Sequence, residues 1–236
     1  MPRKQVVALN RALSKLGILS RSQATEAIRV GRVRVDGRIV CDPAHPVVPE
    51  RVRIAVDEQP HRRVAWRTIV FHKPRGVVTT HRDPEGRRTI YDVLGDDARG
   101  LIPVGRLDRA TTGLLLLTTD TRLANWITDP ENDVPRVYVV SVRGHVTPAD
   151  LAGLPPAHVT LRKASSRESH LIVELREGKN RQVRRMFETI GHEVTRLKRV
   201  RLGGLELSAL EPGQVRELSR AEVRAAFPGA PVRGTE

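Results

Sequence analysis

Apolar side chains near the start of the chain recur first at helical and then at alternating spacing. Two helical stripes are present, which consist of Val6, Leu9, Leu13 and Leu16, and of Ala24, Ala27 and Ile28. The next stretch, residues 33–40, alternates between apolar and polar positions around Asp36 and Gly37, a pair that favours a tight β-hairpin turn. The pattern predicts two helices, a hairpin and a further strand at residues 52–56.

Beyond residue 67 the apolar runs are mostly short and strand-like. Strands are predicted at residues 68–71, 77–79, 114–118, 137–142, 159–161, 171–175, 194–197 and 215–218. Helices are predicted at residues 122–127, 148–154, 182–190 and 220–226, with N-caps at Asp120 and Ser219. Residues 57–66 show neither the helical nor the strand spacing of apolar side chains and are interpreted as a linker. We therefore expect an α+β protein, with a small N-terminal domain at residues 5–57 and a mainly antiparallel mixed-sheet domain at residues 67–225.

The charge of the chain points to a polyanionic partner. Its 236 residues include 41 Lys and Arg against 27 Asp and Glu, a formal net charge of +14. Residues 1–66 hold 13 basic and 6 acidic side chains, so half of the excess lies in little more than a quarter of the chain. A GC-rich genome would explain why Arg is used in place of Lys, but it would not explain the excess of basic over acidic residues. This asymmetry predicts a nucleic-acid-binding module at the N-terminus.

Five arginines of this module fall on the second predicted helix, the turn after it and the hairpin. They are Arg21, Arg29, Arg32, Arg34 and Arg38. Taken singly, each is best explained as a solvated surface residue. Together they favour one basic face that follows an RNA backbone.

Several kinds of site are not expected from this composition. Cys41 is the only cysteine, so neither an internal disulfide nor a multi-cysteine zinc site can form, and no His-x-x-x-His pair is present. The chain lacks a Gly-x-x-x-x-Gly-Lys loop and a Cys-x-x-Cys pair, so no metal, redox or nucleotide cofactor is predicted. No apolar run approaches the roughly 18–20 residues of a membrane helix. We expect a cytoplasmic, monomeric protein without a membrane partner.

Asp108 is the most distinctive candidate for chemistry. It is flanked by Arg106 and Arg109 and directly precedes an apolar strand that contains Leu114–Leu117. A carboxylate on a phosphate-binding surface repels its ligand, so it needs a reason to be there. It could cap a turn or form an ion pair, which the residues alone favour, or it could be a nucleophile kept ionised by arginines.

Two resemblances change this picture. Leu9-Asn-Arg-Ala-Leu13, residues 17–22, Ala27-Ile28 and residues 31–37 together resemble the S4 RNA-binding domain, a small helix-and-hairpin fold, over about residues 6–55. Gly105-Arg-Leu-Asp108, followed by Thr-Thr-Gly-Leu-Leu-Leu-Leu, resembles the signature motif of pseudouridine synthases. From about residue 6 to residue 225 the chain is similar to the RsuA/RluB family, which modifies ribosomal RNA. That resemblance implies a cofactor-free isomerase with Asp108 as its nucleophile.

Further segments carry the same resemblance and imply roles for individual residues. Pro135-Arg-Val-Tyr138 matches a Lys-x-Tyr motif, which implies that Tyr138 stacks on the target base. Residues 177–187 match a motif whose basic residue pairs with the catalytic aspartate, here Arg184 by our alignment, with Arg185 adjacent. Leu197 matches an apolar residue that lines the active site. Contacts to RNA in this region are expected of Lys73, Arg106, Lys179, Arg181 and Arg185.

The cations at the start of the predicted helix 182–190 also favour an anionic target, because the helix dipole disfavours cations there. A solvated basic helix face is the alternative. Residues 83–92 are most like the RluB branch, which acts on 23S rRNA, and less like the RsuA branch, which acts on 16S rRNA. The expected partner is ribosomal RNA or a pre-ribosomal particle. A non-enzymatic S4-domain RNA binder and a DNA-binding helix-turn-helix regulator are the competing hypotheses, and the long remainder at residues 67–225 counts against both.

Overall fold

The computed structural model describes residues 6–232 except 17, 20, 50, 58, 61–64 and 155–157. The chain divides into two compact units, Met1–Trp66 and Arg67–Glu236.

The N-terminal unit combines two short helices with short strands. The helices are α1 (Leu9–Lys15) and α2 (Arg21–Arg29), and the strands are β1 (Val7–Ala8), β2 (Val33–Val35), β3 (Arg38–Ile39), β4 (Pro46–Val47), β5 (Ile54–Val56) and β6 (Gln59–Pro60). β1 pairs with β4, and the other strands form a sheet in the order β3-β2-β5-β6. The first helix therefore begins at Leu9 and not at Val6, because the preceding residues belong to a strand.

The apolar stripes predicted from the sequence form the core of this unit. Leu9, Leu13, Ile28 and Val33 are fully buried there. Asp36 and Gly37 have φ angles of +50° and +85°, which is the left-handed turn that an Asp-Gly pair favours. The predicted hairpin is confirmed, and it fixes the position of the basic side chains on β2 and β3.

The larger unit is built on one extended sheet. Its strands are β7 (Thr68–Lys73), β8 (Ile102–Pro103), β9 (Thr112–Thr118), β10 (Arg136–Arg143), β11 (His158–Lys163), β12 (Glu168–Leu175), β13 (Val194–Leu202), β14 (Leu205–Glu206) and β15 (Val215–Glu217). Its helices are α3 (Ile90–Leu94), α4 (Thr121–Thr128), α5 (Pro148–Ala152), α6 (Gln182–Thr189) and α7 (Arg220–Ala226), with 3₁₀ turns at Gly95–Ala98 and Pro130–Asn132.

The strand order is β11-β12-β10-β13-β9-β7-β15, with β14 beside β13 and β8 beside β9. Among the strand pairs of the described residues, β13 and β9 run parallel and the others run antiparallel. The predicted fold class is confirmed: a small N-terminal region precedes a mixed, mainly antiparallel sheet with helices.

The burial of two strands, β12 and β9, makes this sheet a rigid support. In β12 every second side chain is buried, and Leu171 and Val173 pack in one core with Met186 and Phe187 of α6. In β9, by contrast, Leu114–Leu117 are all 0% exposed, so both faces of the strand are covered. A strand enclosed on both sides gives a fixed support to the residues that lead into it.

The structure also differs from the predicted elements elsewhere. The predicted linker at residues 57–66 contains strand β6 (Gln59–Pro60), and residues 58 and 61–64 of that linker lie outside the described residues. The strand predicted at residues 77–79 is wrong, since Val78 forms only an isolated bridge with Thr89. The five-residue helix α3 was not predicted, although a reciprocal capping box between Thr89 and Asp92 marks its start. The N-caps predicted at Asp120 and Ser219 are both confirmed by their side-chain hydrogen bonds.

Candidate active site

Asp108 lies in the loop between β8 and β9, and backbone and side-chain hydrogen bonds hold this loop in place. The Thr79 hydroxyl donates to the Leu107 carbonyl at 2.8 Å and accepts from the Leu107 N–H at 3.3 Å. The Thr111 N–H donates to the Asp108 carbonyl at 3.0 Å, and the Gly76 N–H donates to the Arg109 carbonyl at 2.8 Å. The loop thus presents the Asp108 carboxylate, which is 35% exposed, from a fixed backbone.

The carboxylate opens onto a cleft of about 370 Å³ in the larger unit. The predicted site residues that line it are Arg106, Asp108, Tyr138, Lys179, Arg181 and Leu197. Tyr138 is half-buried on β10, and Leu197 is 6% exposed on β13. The structure therefore brings a carboxylate, an aromatic ring and an apolar wall together, with cations at the mouth.

The structure differs from the expected ion pair between Asp108 and Arg184. Of the described residues, Arg181 forms the ion pair with Asp108, with 4.0 Å between Nη1 and Oδ2. Arg184 is buried, and it donates through Nη1 to the Val194 carbonyl at 2.9 Å and through Nη2 to the Ala110 carbonyl at 3.5 Å. Burial lowers the pKa of Arg184, and the nearby Asp108 carboxylate acts in the opposite direction.

Arg181 and Arg184 differ because of where α6 begins. Arg181 is the N-cap residue and has a left-handed backbone with φ +49°. Its side chain stays half-exposed and can reach the carboxylate. Arg184 lies one turn into the helix among its buried residues, and its hydrogen bonds go to the backbone carbonyls of Val194 and Ala110. Arg185, the adjacent candidate, is exposed and does not line the cleft.

Lys73 requires a correction. It was expected to contact RNA, but its side chain is 0% exposed. Its ammonium group donates to the Thr111 carbonyl at 2.9 Å and to the Pro74 carbonyl at 3.0 Å. Burial lowers the pKa of Lys73 to about 8, and the Asp108 carboxylate opposes that shift. Lys73 therefore supports the loop that carries Asp108 from beneath instead of facing a ligand.

Two cleft residues were not assigned a role from the sequence. Arg136 is 5% exposed, and its guanidinium donates to the carbonyls of Val134, Arg176 and Ile127. Arg199 is 3% exposed on β13 and donates through Nε to the Leu114 carbonyl at 2.7 Å. A basic residue inside a strand was the available signal, but the sequence does not tell whether such a side chain faces solvent or a cleft.

The five arginines predicted to bind RNA lie in the N-terminal unit. Arg21, Arg29 and Arg32 are exposed and line one shallow depression beside α2. Arg32 forms an ion pair with Asp57, which raises the pKa of Arg32, with 2.6 Å between Nε and Oδ1. Arg34 donates to the Gly37 carbonyl at 3.2 Å, and Arg38 is exposed on β3. The cluster is thus a surface feature in which the charge of Arg32 is partly compensated.

No group of three or more His, Cys, Asp or Glu side chains among the described residues could hold a metal ion. None of the helices in that part of the chain is long and apolar enough to cross a membrane.

Comparisons with known proteins agree with this arrangement. A family model for RNA pseudouridylate synthase matches residues 67–189, and a model for the S4 domain matches residues 9–52. An uncharacterized RNA pseudouridine synthase of Aquifex aeolicus is 35% identical over 94% of both chains. Ribosomal large subunit pseudouridine synthase B of Bacillus subtilis is 35% identical over 92% of this chain and 93% of the other. A crystal structure of a pseudouridylate synthase superposes with a TM-score of 0.63 at 28% identity, covering 92% of this chain and 98% of the other.

A mixed sheet with this cleft, carried on a chain that also has an S4 domain, defines an enzyme that isomerises uridine in RNA. The chain belongs to the RNA pseudouridylate synthase family, in its RsuA/RluB branch. The family resemblance drawn from the sequence motifs is confirmed.

Proposed function

We propose that this enzyme converts a specific uridine of 23S rRNA to pseudouridine, with Asp108 as the nucleophile. The observation that carries the proposal is the position of the Asp108 carboxylate at the mouth of a cleft that Tyr138 and Leu197 also line. The name of the Bacillus subtilis relative supports the large-subunit substrate. Residues 83–92, which are most like the RluB branch, support it as well.

The target base has to leave the RNA stack before a group in this cleft can reach its sugar. The Tyr138 ring offers a stacking surface for the extruded base, an interaction that contributes about 1–3 kcal/mol. Leu197 contributes an apolar wall. Arg106, Lys179, Arg181 and Arg185 are exposed around the site and would hold the flanking phosphates.

The reaction needs an ionised carboxylate and no change in redox state. Arg181, 4.0 Å from the Asp108 carboxylate, would orient that carboxylate towards the cleft. The Asp108 carboxylate forms a bond to C1′ as the bond between N1 and C1′ breaks. The uracil then turns, and the carboxylate leaves C1′ as C5 forms its bond to C1′. The proton on C5 leaves to solvent while N1 takes up a proton, so atoms and electrons balance. The substrate is either free rRNA or a pre-ribosomal particle.

Tritium release tests this proposal. Unmodified 23S and 16S transcripts that carry C5-tritiated uridine are incubated with the wild type, Asp108→Asn and Asp108→Ala. We expect release from the 23S transcript by the wild type and none above background by either variant, with RNA affinity unchanged in all three proteins. Release by Asp108→Ala would refute Asp108 as nucleophile, and release from 16S only would refute the substrate. If all three are silent on transcripts, the assay is repeated on pre-ribosomal particles, where continued silence would favour a non-enzymatic RNA binder.

A further inference from the structure

Arg199 is a cation enclosed in the floor of the cleft. It lies opposite Tyr138 on the neighbouring strands β13 and β10, and both residues line the cleft. In the described part of the structure, its guanidinium makes one hydrogen bond, from Nε to the Leu114 carbonyl. Nη2 is buried without a partner. Buried donors are almost always satisfied in folded proteins, so an unsatisfied one at a cleft indicates a ligand that accepts hydrogen bonds.

A second buried polar atom in the same cleft also lacks a partner. The hydroxyl of Thr111 is enclosed, and no hydrogen-bond partner for it exists among the described residues. Arg136, the neighbouring buried cation, differs because its N–H groups donate to three backbone carbonyls. Of the two guanidinium groups, Arg199 is therefore the one with N–H groups left for a ligand.

The burial of Arg199 in the cleft determines which part of the RNA it can contact. The side chain is 3% exposed and lies behind the cleft mouth, so a backbone phosphate outside cannot reach it. A base that stacks on Tyr138 would lie beside Arg199, because the two residues face each other on paired strands and line the same cleft. The β-carbons of side chains paired in this way are about 4.5–5.5 Å apart. A uracil ring presents carbonyl oxygens to donors.

We propose that the Arg199 guanidinium binds the carbonyl oxygens of the uracil ring and stabilises the negative charge of the ring after it leaves C1′. This inference rests on the proposed function. When the bond between N1 and C1′ breaks, the electron pair stays on the ring and is shared by N1 and the two carbonyl oxygens. A fixed cation beside those oxygens stabilises this state and keeps the free base in the cleft while it turns. The turned ring then bonds to C1′ through C5 as the bond from Asp108 to C1′ breaks, the C5 proton leaves to solvent, and N1 takes up a proton.

The test compares Arg199→Gln with Arg201→Gln in the full-length protein. Glutamine removes the charge at position 199 but keeps a donor for the Leu114 carbonyl. Arg201, whose Nε is also buried without a partner among the described residues, lies on the same strand outside the cleft and pairs with Glu174 at 2.9 Å, so it controls for the loss of a guanidinium from β13. Single-turnover rates are measured on 23S rRNA whose target position carries uridine, 2-thiouridine or 4-thiouridine. Sulfur accepts hydrogen bonds more weakly than oxygen, so it probes the proposed contact directly.

We expect Arg199→Gln to lower the single-turnover rate by about 100-fold or more, with RNA affinity within about twofold of the wild type, as for loss of one charge-stabilising donor. Arg201→Gln should keep the wild-type rate. At least one thio-substitution should slow the wild type and leave Arg199→Gln unaffected.

Two results would overturn the inference. If both thio-substitutions slow the wild type and Arg199→Gln equally, or if Arg199→Gln turns over at the wild-type rate, Arg199 does not contact the base while the proposed function stands. A wild type without turnover on any rRNA or pre-ribosomal particle would remove the proposed function, and the role of Arg199 with it.

Discussion

A β-carbon on Gly113 would lie only 2.2 Å from the carbonyl oxygen of Arg199. The two residues are partners in the parallel pairing of β9 with β13, and Gly113 has φ +107°. The strand that follows the Asp108 loop therefore meets the strand of Leu197 and Arg199 at a distance that only glycine permits. This close approach joins the two halves of the cleft.

Gly113→Ala should strongly destabilise the larger unit. The new methyl group would meet three backbone atoms of Arg199 within 2.9 Å, and backbone cannot move aside as a flexible side chain can. We expect the free energy of unfolding to fall by more than about 2 kcal/mol, measured by urea denaturation. Gly86→Ala is the control, because Gly86 also has a positive φ, +69°, but nothing lies within 4 Å of its β-carbon position. Equal losses in the two variants would show that the close approach does not matter.

The burial of the Lys73 ammonium group should make the folding stability of the protein depend on pH. Its pKa is lowered to about 8 in the folded protein from 10.5, so between these two values the unfolded chain binds more protons than the folded one. Folding stability therefore rises with pH across this window. The difference in unfolding free energy between the wild type and Lys73→Met should shift by about 2 kcal/mol in favour of the wild type from pH 7 to pH 9.5. A difference that stays constant with pH would mean that Lys73 is not buried in its charged form.

The sequence predicts the scaffold better than the interior of the site. The pattern of apolar residues is enough to predict the α+β class and the apolar strand that contains Leu114–Leu117, because burial is the main determinant of that pattern. The Asp36-Gly37 turn is predicted because its backbone geometry depends on local chemistry alone. Both properties can be read within a few residues of sequence.

The placement of charged side chains depends on contacts between distant segments, which the sequence does not reveal. Lys73 and Arg199 are both cations on strands, and nothing local shows that each is enclosed. Motif matching assigned the ion pair with Asp108 to Arg184, yet α6 turns that residue towards Val194 and Ala110 and leaves Arg181 beside the carboxylate. Arg181 and Arg184 are about one helical turn apart, and this separation places one beside the Asp108 carboxylate and buries the other.

Arg181→Gln and Arg184→Gln should therefore have different effects. Arg184 is buried against two carbonyls, and its loss leaves them with poorer donors, so we expect a decrease in unfolding free energy of about 1–3 kcal/mol. Arg181 forms a half-exposed ion pair, so its loss should change stability by less than about 1 kcal/mol. The single-turnover rate should nevertheless fall in Arg181→Gln, since the carboxylate loses its ion-pair partner. Unfolding in urea and tritium release, measured on the same preparations, separate the two effects, and the reverse ranking in stability would contradict the assignment.

The N-terminal arginines should differ in their contribution to the salt dependence of RNA binding. Arg29, the last residue of α2, is exposed and forms no ion pair in the described part of the chain, whereas Arg32 pairs with Asp57 at 2.6 Å. Each phosphate contact adds about 0.7–0.9 to the slope of log affinity against log salt concentration. We expect Arg29→Gln to reduce that slope by about 1 and Arg32→Gln to reduce it by less, because Arg32 has to give up a carboxylate before it can bind a phosphate. Filter binding of 23S rRNA fragments between low and physiological salt gives both slopes. An equal reduction would mean that the Arg32–Asp57 pair opens freely, and an unchanged slope in Arg29→Gln would place the RNA on another face of the unit.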